Sequence, residues 1–372
     1  MNLNKVIIAP DSFKGSLTSK QVADTIYEEV ATYFPGCEII KMPVADGGEG
    51  SVEIIIAAIG GNIYKTRVIS PDDRQIIASF GIAASGTAVI EMAQSSGITK
   101  QIGLHPMTSS TYGFGQLIRA ALNKEAKDFV LCIGGSATTD GGCGMASALG
   151  AQFFDSGGNS FIPCGGTLVE IAHIETSGID KRVRGSSFTV MSDVDNPLYG
   201  KNGAAHIFGP QKGADPGHVL ALDEGLRHFS AILNEHFGIE YADTPGAGAA
   251  GGLGAGCLAF LGASIVGGSE AILKLCGFEK HIAGCDLIIT GEGRLDAQSF
   301  RGKVLSGILR GAGGTPIFSI CGSGDCDEAL LRRYNMSVFE ISEGISIEES
   351  MADPAKYLKL AARKAMLRVR EI

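Results

Sequence analysis

At 372 residues the chain is long enough for two ordinary domains, and 45% hydrophobic with 19% charged residues is the composition of a well-filled globular protein. The 31 Lys and Arg against 40 Asp and Glu leave a formal charge of −9 with no basic stripe, which excludes a nucleic-acid partner, since phosphate backbones are gripped by clustered positive charge. Glycine is the outlier, with 53 residues against only 12 prolines and no three-residue period; collagen and disorder are excluded, and glycines clustered between apolar runs mark tight turns or close approach to a ligand.

The chain opens as strand, loop and helix. Lys5–Pro10 is β-rich, Asp11–Leu17 is a polar loop, and Thr18 with Gln21 forms a capping-box pattern before Val22, Ile26 and Val30 at helical spacing. The apolar run Val6–Pro10 stops at Asp11 and Lys14, too short for a signal peptide. The unit then repeats: Glu38–Val44 reads as a strand, Asp46–Gly50 as a loop, and Val52, Ile55, Ile56 and Ile59 line a helix ending at Gly60-Gly61. Two β-loop-α units in succession predict a parallel sheet. Gly61–Ala93 holds short alternating β segments, Ala88–Met92 among them, with no helix between. Mixed pieces follow at Asp128–Ile133 and Ser187–Asp193, with a long helix near His218–His236. Between Asp243 and Glu270 no residue is charged, but nine glycines dilute the stretch and Pro245 begins it, so a buried helix under a Gly-rich loop is expected there and not a membrane span.

The carboxyl-terminal part returns to the opening grammar. Asp286–Thr290 is a strand, Gly291–Ser299 a loop, and Val304, Leu305, Ile308 and Leu309 mark a helix. Pro316–Cys321 and Val338–Ile341 are strands, and Asp353-Pro354 opens a last helix with Leu358, Ala362, Ala365 and Val369 on one face. Both ends therefore read as one α/β domain with a doubly wound parallel sheet, residues 1–61 plus 284–372, carrying a second α/β domain, 62–283, inserted into it. Nine scattered cysteines read as reduced thiols of a cytoplasmic protein, without the spacing of a zinc site.

In such a sheet the ligand crevice lies outside the carboxyl ends of the strands. The loops there are Asp11-Ser12-Phe13-Lys14-Gly15-Ser16, Asp46-Gly47-Gly48-Glu49-Gly50, Gly291-Glu292-Gly293-Arg294 and Cys321-Gly322-Ser323-Gly324-Asp325. Gly and Asp also build ordinary turns, so it is the gathering of four such loops at one edge that points to a site. The loop Gly134-Gly135-Ser136-Ala137-Thr138-Thr139-Asp140-Gly141-Gly142 follows a strand and opens a short helix at Met145–Leu149. Converging backbone N–H groups, hydroxyls and a helix N-terminus make a phosphate cradle there, with a sharp structural turn as the alternative. The GK[ST] ending of a P-loop occurs nowhere.

Asp193 and Asp195, beside Asn196 at a strand end, suit Mg²⁺ or the deprotonation of a hydroxyl; an Asx-turn before Pro197 is the rival. Gly246–Gly251 matches the dinucleotide fingerprint literally, but Asp243-Thr244-Pro245 precedes it where a hydrophobic strand should be, so NAD is rejected and close packing on a ligand or on another backbone stays open. Lys14, Lys212, Arg294 and Lys303 are the cations in Gly-rich polar contexts, and no histidine lies in a triad or HExxH pattern.

Six blocks taken together resemble the signatures of the type I glycerate kinases, in that family's order. They are Ala9-Pro10-Asp11-Ser12-Phe13-Lys14-Gly15-Ser16, Ala45-Asp46-Gly47-Gly48-Glu49-Gly50, Gly134-Gly135-Ser136-Ala137-Thr138, Asp193-Val194-Asp195-Asn196-Pro197-Leu198, Phe208-Gly209-Pro210-Gln211-Lys212-Gly213-Ala214 and Thr290-Gly291-Glu292-Gly293-Arg294. The resemblance implies a flavodoxin-like domain with an inserted α/β domain. It also implies an ATP-dependent kinase that phosphorylates D-glycerate, in most members at the 2-hydroxyl, which gives 2-phosphoglycerate.

On that footing the expected chemistry is direct in-line transfer of the ATP γ-phosphoryl group in an interdomain cleft. Lys14 and Arg294 are expected to hold the glycerate carboxylate, with Asp11, Ser12 and Glu292 around the substrate and Asp193 orienting or deprotonating its hydroxyl. Gly134, Gly135, Ser136, Thr138, Asp140 and Lys212 are expected around the ATP phosphates, with Mg²⁺ near Asp195 or Asp46. A kinase of another small hydroxy or sugar acid and a non-catalytic small-anion sensor are the alternatives; monomer and homodimer are equally compatible with the sequence.

Overall fold

The structure is a computed structural model, which describes residues 3–13, 15–45, 47–297, 299–300 and 304–371. The chain divides into two compact units, Met1–Asp46 with Ser269–Ile372, and Gly47–Gly268. The first unit has five strands: β1 (Lys5–Ile8), β2 (Glu38–Lys41), β3 (Leu287–Leu295), β4 (Ile317–Gly324) and β5 (Met336–Glu340). They lie in the order β2-β1-β3-β4-β5 and every pairing is parallel, the flavodoxin-like arrangement. Val6, Ile7 and Ile8 are all fully buried, the continuous apolar run of a parallel strand covered on both faces. The helix Ser19–Tyr33 starts on the capping box of Thr18 and Gln21. Its Val22, Ile26 and Val30 share one core with Leu358, Ala362, Ala365 and Val369 of the helix Pro354–Glu371.

Two segments expected as loops are strand. β3 and β4 run on through their glycine-rich ends, with Glu292 opposite Cys321 and Arg294 opposite Ser323. Glycine reads as a loop signal because it is depleted in strands, but here it permits close approach of neighbouring chains. A Cβ on Gly322 would lie 2.2 Å from the Gly293 carbonyl oxygen, and one on Gly291 would lie 2.4 Å from that of Ile320.

The second unit is built on a six-stranded sheet in the order Ser264–Val266, Ser187–Met191, Asp128–Cys132, Ala88–Glu91, Gln75–Ala83, Gly61–Ile69. The first four are parallel and the last two antiparallel. A small antiparallel sheet of Ser160–Phe161, Gln152–Phe154 and His173–Glu175 stands beside it. Phe114, Leu117 and Ile118 of the helix Tyr112–Leu122 join Phe129, Leu131 and Phe229 in its core.

The compact units divide at 46/47 and 268/269, where the sequence suggests domain boundaries at 61/62 and 283/284. The helix Ser51–Ile59 looks in sequence like the second crossover of the first sheet, yet it packs on the strand Gln75–Ala83, where Gly81 leaves room for Ile56 (2.4 Å from a Cβ built there). At the other junction, Leu273 and Phe278 fill the space over Gly307 and Gly311, so residues 269–283 belong with the helix Val304–Gly311 of the first unit.

The uncharged stretch forms the helix Ala249–Leu261, whose course is broken by left-handed Ala250, Gly251 and Gly252. Gly251 and Gly256 press on the backbone of another segment: Cβ atoms there would fall 2.0 Å from the Thr138 oxygen and 2.5 Å from the Gly141 oxygen. That is the backbone-packing alternative for the false dinucleotide fingerprint. Among the described residues no helix is long and apolar enough to cross a membrane.

The glycine contacts in β4 carry a direct test. Gly322→Ala should destabilise the protein by roughly 1–3 kcal/mol, because the neighbouring backbone has to move to admit a methyl group. Urea unfolding followed by circular dichroism measures it; an unchanged midpoint would sink the close-approach explanation.

Candidate active site

In the second unit Val266, Met191, Cys132 and Glu91 lie level across four neighbouring parallel strands. The segments that follow them therefore leave from one carboxyl edge, where ligands of α/β sheets bind. Gly47 and Gly48 close on the same edge. The Gly134 N–H donates to the Gly47 carbonyl at 3.0 Å, and a Cβ on Gly134 would fall 2.7 Å from the Gly48 Cα. Gly47 has φ +81°, and a Cβ there would lie 3.2 Å from the Met191 oxygen. Only glycine fits this meeting of three backbones.

The 134–142 loop is held from inside by charge. The fully buried Asp140 carboxylate accepts the Thr111 N–H (2.7 Å), the Thr111 hydroxyl (2.8 Å), and the N–H groups of Gly142 (3.1 Å) and Gly144 (3.2 Å). Burial pushes its carboxyl up, and the four donors pull it back. Lys212, in the turn Pro210–Lys212, is only 2% exposed. Its ammonium donates to the Thr138 carbonyl (2.6 Å) and the Ser136 hydroxyl (3.2 Å). Burial pushes Lys212 down to about 7, opposed by the attraction of Asp140.

The structure thus brings Gly134, Gly135, Ser136, Thr138, Asp140 and Lys212 together, but the side chains of Thr138, Asp140 and Lys212 face into the loop and define its shape. The helix Cys143–Leu149 turns its early N–H groups inward as well, Gly144 to Asp140 and Met145 to the Thr111 hydroxyl at 2.9 Å. Asp193 is half-buried just past the strand Ser187–Met191, and Asp195 is exposed. The Asn196 amide donates to the Asn202 carbonyl at 2.8 Å. Among the described residues no three His, Cys, Asp or Glu cluster as metal ligands. Asp46 lies outside the described residues.

At the first unit's edge, β1 and β3 are neighbours, and the Asp11 N–H donates to the Gly291 carbonyl at 2.8 Å. The Asp11 carboxylate accepts the Ser12 N–H at 2.6 Å. Glu292 and Arg294 are two apart in β3 and share one face. Glu292 accepts the Ser299 hydroxyl at 2.8 Å, and Arg294 is 71% exposed with its Nε 3.7 Å from the Asp296 carboxylate. Asp11, Ser12, Glu292 and Arg294 are therefore gathered on one edge; Lys14 and Lys303 lie outside the described residues.

The whole length that carries these loops, residues 6–370, matches the model of the glycerate kinase family. The chain belongs to that family. It is 40% identical over 366 residues to the glycerate kinase of Bacillus subtilis, covering 96% of each chain. It is 42% identical over 347 residues to the glycerate 2-kinase of Escherichia coli, covering 92% of this chain and 91% of that one. A crystal structure from Salmonella typhimurium LT2, of a protein assigned provisionally as glycerate kinase 2, superposes with a TM-score of 0.82 at 35% identity, covering 100% and 99% of the two chains. As a member of this family the protein is a kinase, a phosphotransferase.

Sequence reasoning missed two residues at the second edge. Thr111 ties the helix Tyr112–Leu122 to Asp140, and an isolated threonine gives no signal of that. Glu91 is fully buried where the apolar strand Ala88–Glu91 ends. Its Oε1 accepts the Gly50 N–H (3.1 Å) and its Oε2 the Val52 N–H (3.3 Å). A lone acid closing a buried strand at the ligand edge was a readable signal.

Lys212 supplies a pH test. A lysine lowered in the folded state binds its proton less readily there than in the unfolded chain. On its account stability therefore rises with pH from about 7 towards 10.5. Lys212→Met should remove this rise. Relative to the variant, the wild type should gain up to about 1.4 kcal/mol per pH unit within that window, measured by denaturant unfolding. Parallel curves would mean that Lys212 keeps an ordinary lysine's affinity for its proton.

Proposed function

We propose that this protein catalyses the ATP-dependent phosphorylation of D-glycerate to 2-phosphoglycerate in the cytoplasm. The observation that carries the proposal is the family match along nearly the whole chain, which takes in every polar edge loop described above. The name of the Escherichia coli relative, a glycerate 2-kinase, supports the 2-hydroxyl as acceptor.

Phosphoryl transfer asks a protein for positioning and charge neutralisation more than for covalent chemistry. The 134–138 backbone is assigned to the ATP phosphates, with Ser136, Thr138, Asp140 and Lys212 acting by holding that backbone in place. Asp193 is assigned to the glycerate hydroxyl, which it orients and whose proton it accepts. Arg294, with Lys14, is assigned to the glycerate carboxylate, with Asp11, Ser12 and Glu292 around the substrate. An exposed guanidinium suits a carboxylate because its planar fork makes two parallel bonds. The exposed Asp195 is a hard oxygen donor at the same edge as the phosphate loop, and fits a share of Mg²⁺ with Asp46, since Mg²⁺ takes one or two carboxylates plus phosphate oxygens. When bound, the cation neutralises phosphate charge.

Asp193→Asn should lower kcat by roughly 10²–10⁴ with an unchanged circular dichroism spectrum. A kcat within a few-fold of wild type removes Asp193 from the chemistry. Arg294→Ala should raise the glycerate KM by about 10- to 100-fold and the ATP KM far less, the loss of a charge-assisted pair. Equal effects on both would reassign Arg294. Phosphorus NMR of the product distinguishes the 2- from the 3-phosphate.

A further inference from the structure

Glu91 stands apart from the other buried acids of the second unit in what surrounds it. Asp140 is met by four donors and lies near Lys212. Glu91 accepts two backbone N–H groups, and Glu53 of the helix Ser51–Ile59 and Glu49 of the loop, both acidic, act on it among the described residues. Burial first, and those two acids after it, push its carboxyl up to about 7. On this group's account stability falls as pH rises from the ordinary glutamate range towards 7. An acid kept at such a position points to a functional constraint.

The constraint is visible in what Glu91 holds. Gly50 and Val52 anchor the segment whose other end, Gly47 and Gly48, meets Gly134 of the phosphate loop and Met191 at the strand end before Asp193. We propose that Glu91 is a positioning residue for the phosphoryl transfer: through the N–H groups of Gly50 and Val52 it fixes the 47–50 loop between Gly134 and Met191, and so sets the spacing from the phosphate loop to Asp193. This rests on the glycerate kinase reading for its activity arm. The carboxylate serves both donors best. An amide accepts at its one oxygen and turns an N–H towards the second donor, and a protonated acid offers only a weak acceptor at its hydroxyl oxygen.

The test uses full-length Glu91→Gln and Glu91→Asp. In Glu91→Gln, kcat should fall roughly 10- to 100-fold, with both KM values within about threefold of wild type, because a misplacement of order 1 Å acts on the transition state. Wild-type kcat should show an acid limb around 7 that Glu91→Gln lacks, and the variant's melting temperature at alkaline pH should equal or exceed that of wild type. Glu91→Asp keeps the charge and should recover part of kcat together with the limb. Hydrogen exchange of the 47–59 peptide gives a readout independent of turnover: protection should drop in wild type as pH falls through 7, after correction for intrinsic rates, and should be low at every pH in Glu91→Gln.

A Glu91→Gln enzyme with wild-type kcat and an intact acid limb overturns the proposal. So does a loss of kcat matched by a loss of thermal stability, which is what a purely structural role predicts. If Glu91→Gln does not fold, pH-independent protection of the wild-type peptide overturns it equally. A wild type that leaves glycerate unphosphorylated but shows the pH-dependent protection defeats the functional reading and leaves the role of Glu91 in the loop standing.

Discussion

The second unit's edge depends on one constraint, the approach of bare backbone to bare backbone. Gly47, Gly134 and Gly251 each sit where a Cβ would strike a neighbouring main chain, at Met191, Gly48 and Thr138 respectively. At those contacts no side chain can pack, so buried polar groups help to hold the backbones in place. Asp140, Lys212 and Glu91 do it, each desolvated and each tied to main-chain donors or acceptors. Desolvation makes such groups costly if left unpaired, and that same cost makes their geometry stiff. A loop fixed in this way is pre-organised, the property that the proposed role at the ATP phosphates asks of it.

The two edges handle charge differently. In the second unit the ionisable groups that shape the 134–142 loop are buried and already partnered within it. In the first unit Arg294 extends into solvent with its Nε 3.7 Å from the Asp296 carboxylate, while Glu292 is half-buried. A substrate carboxylate meets least desolvation cost at an exposed guanidinium, and a polyphosphate gains most from fixed dipoles.

Much of this was readable in residue order. Parallel strands buried on both faces announce themselves as apolar runs such as Val6–Ile8, and the capping box at Thr18 and Gln21 marks its helix start to the residue. What failed has a common cause, that glycine carries no side chain to say what it is near. At Gly291 and Gly322 it meant a strand pressed on a strand, where local propensity gave way to a tertiary contact. The helix Ser51–Ile59 was placed with the wrong sheet for a related reason: its apolar face declares that it packs, and the partner, the shallow seat over Gly81, lies outside its own sequence window. Glu91 and Thr111 were missed because a lone polar residue acquires its meaning only from donors that the fold supplies.

The order of the strands also has a consequence in time. β1 is the second strand of its sheet, and its inner neighbour β3 arrives late: Ala9 and Thr290, which bond across the pair, are 281 positions apart. Between them the ribosome makes the whole of residues 47–268 as one uninterrupted segment. At ordinary elongation speeds the amino-terminal strands wait on the order of tens of seconds for the residues that complete their sheet. The unit that holds the 134–142 loop has by then left the ribosome with its own core complete in sequence. Through that interval Val6, Ile7 and Ile8 have β2 on one side only, and the edge that β3 will cover stays open, an apolar strand edge of the kind that invites association.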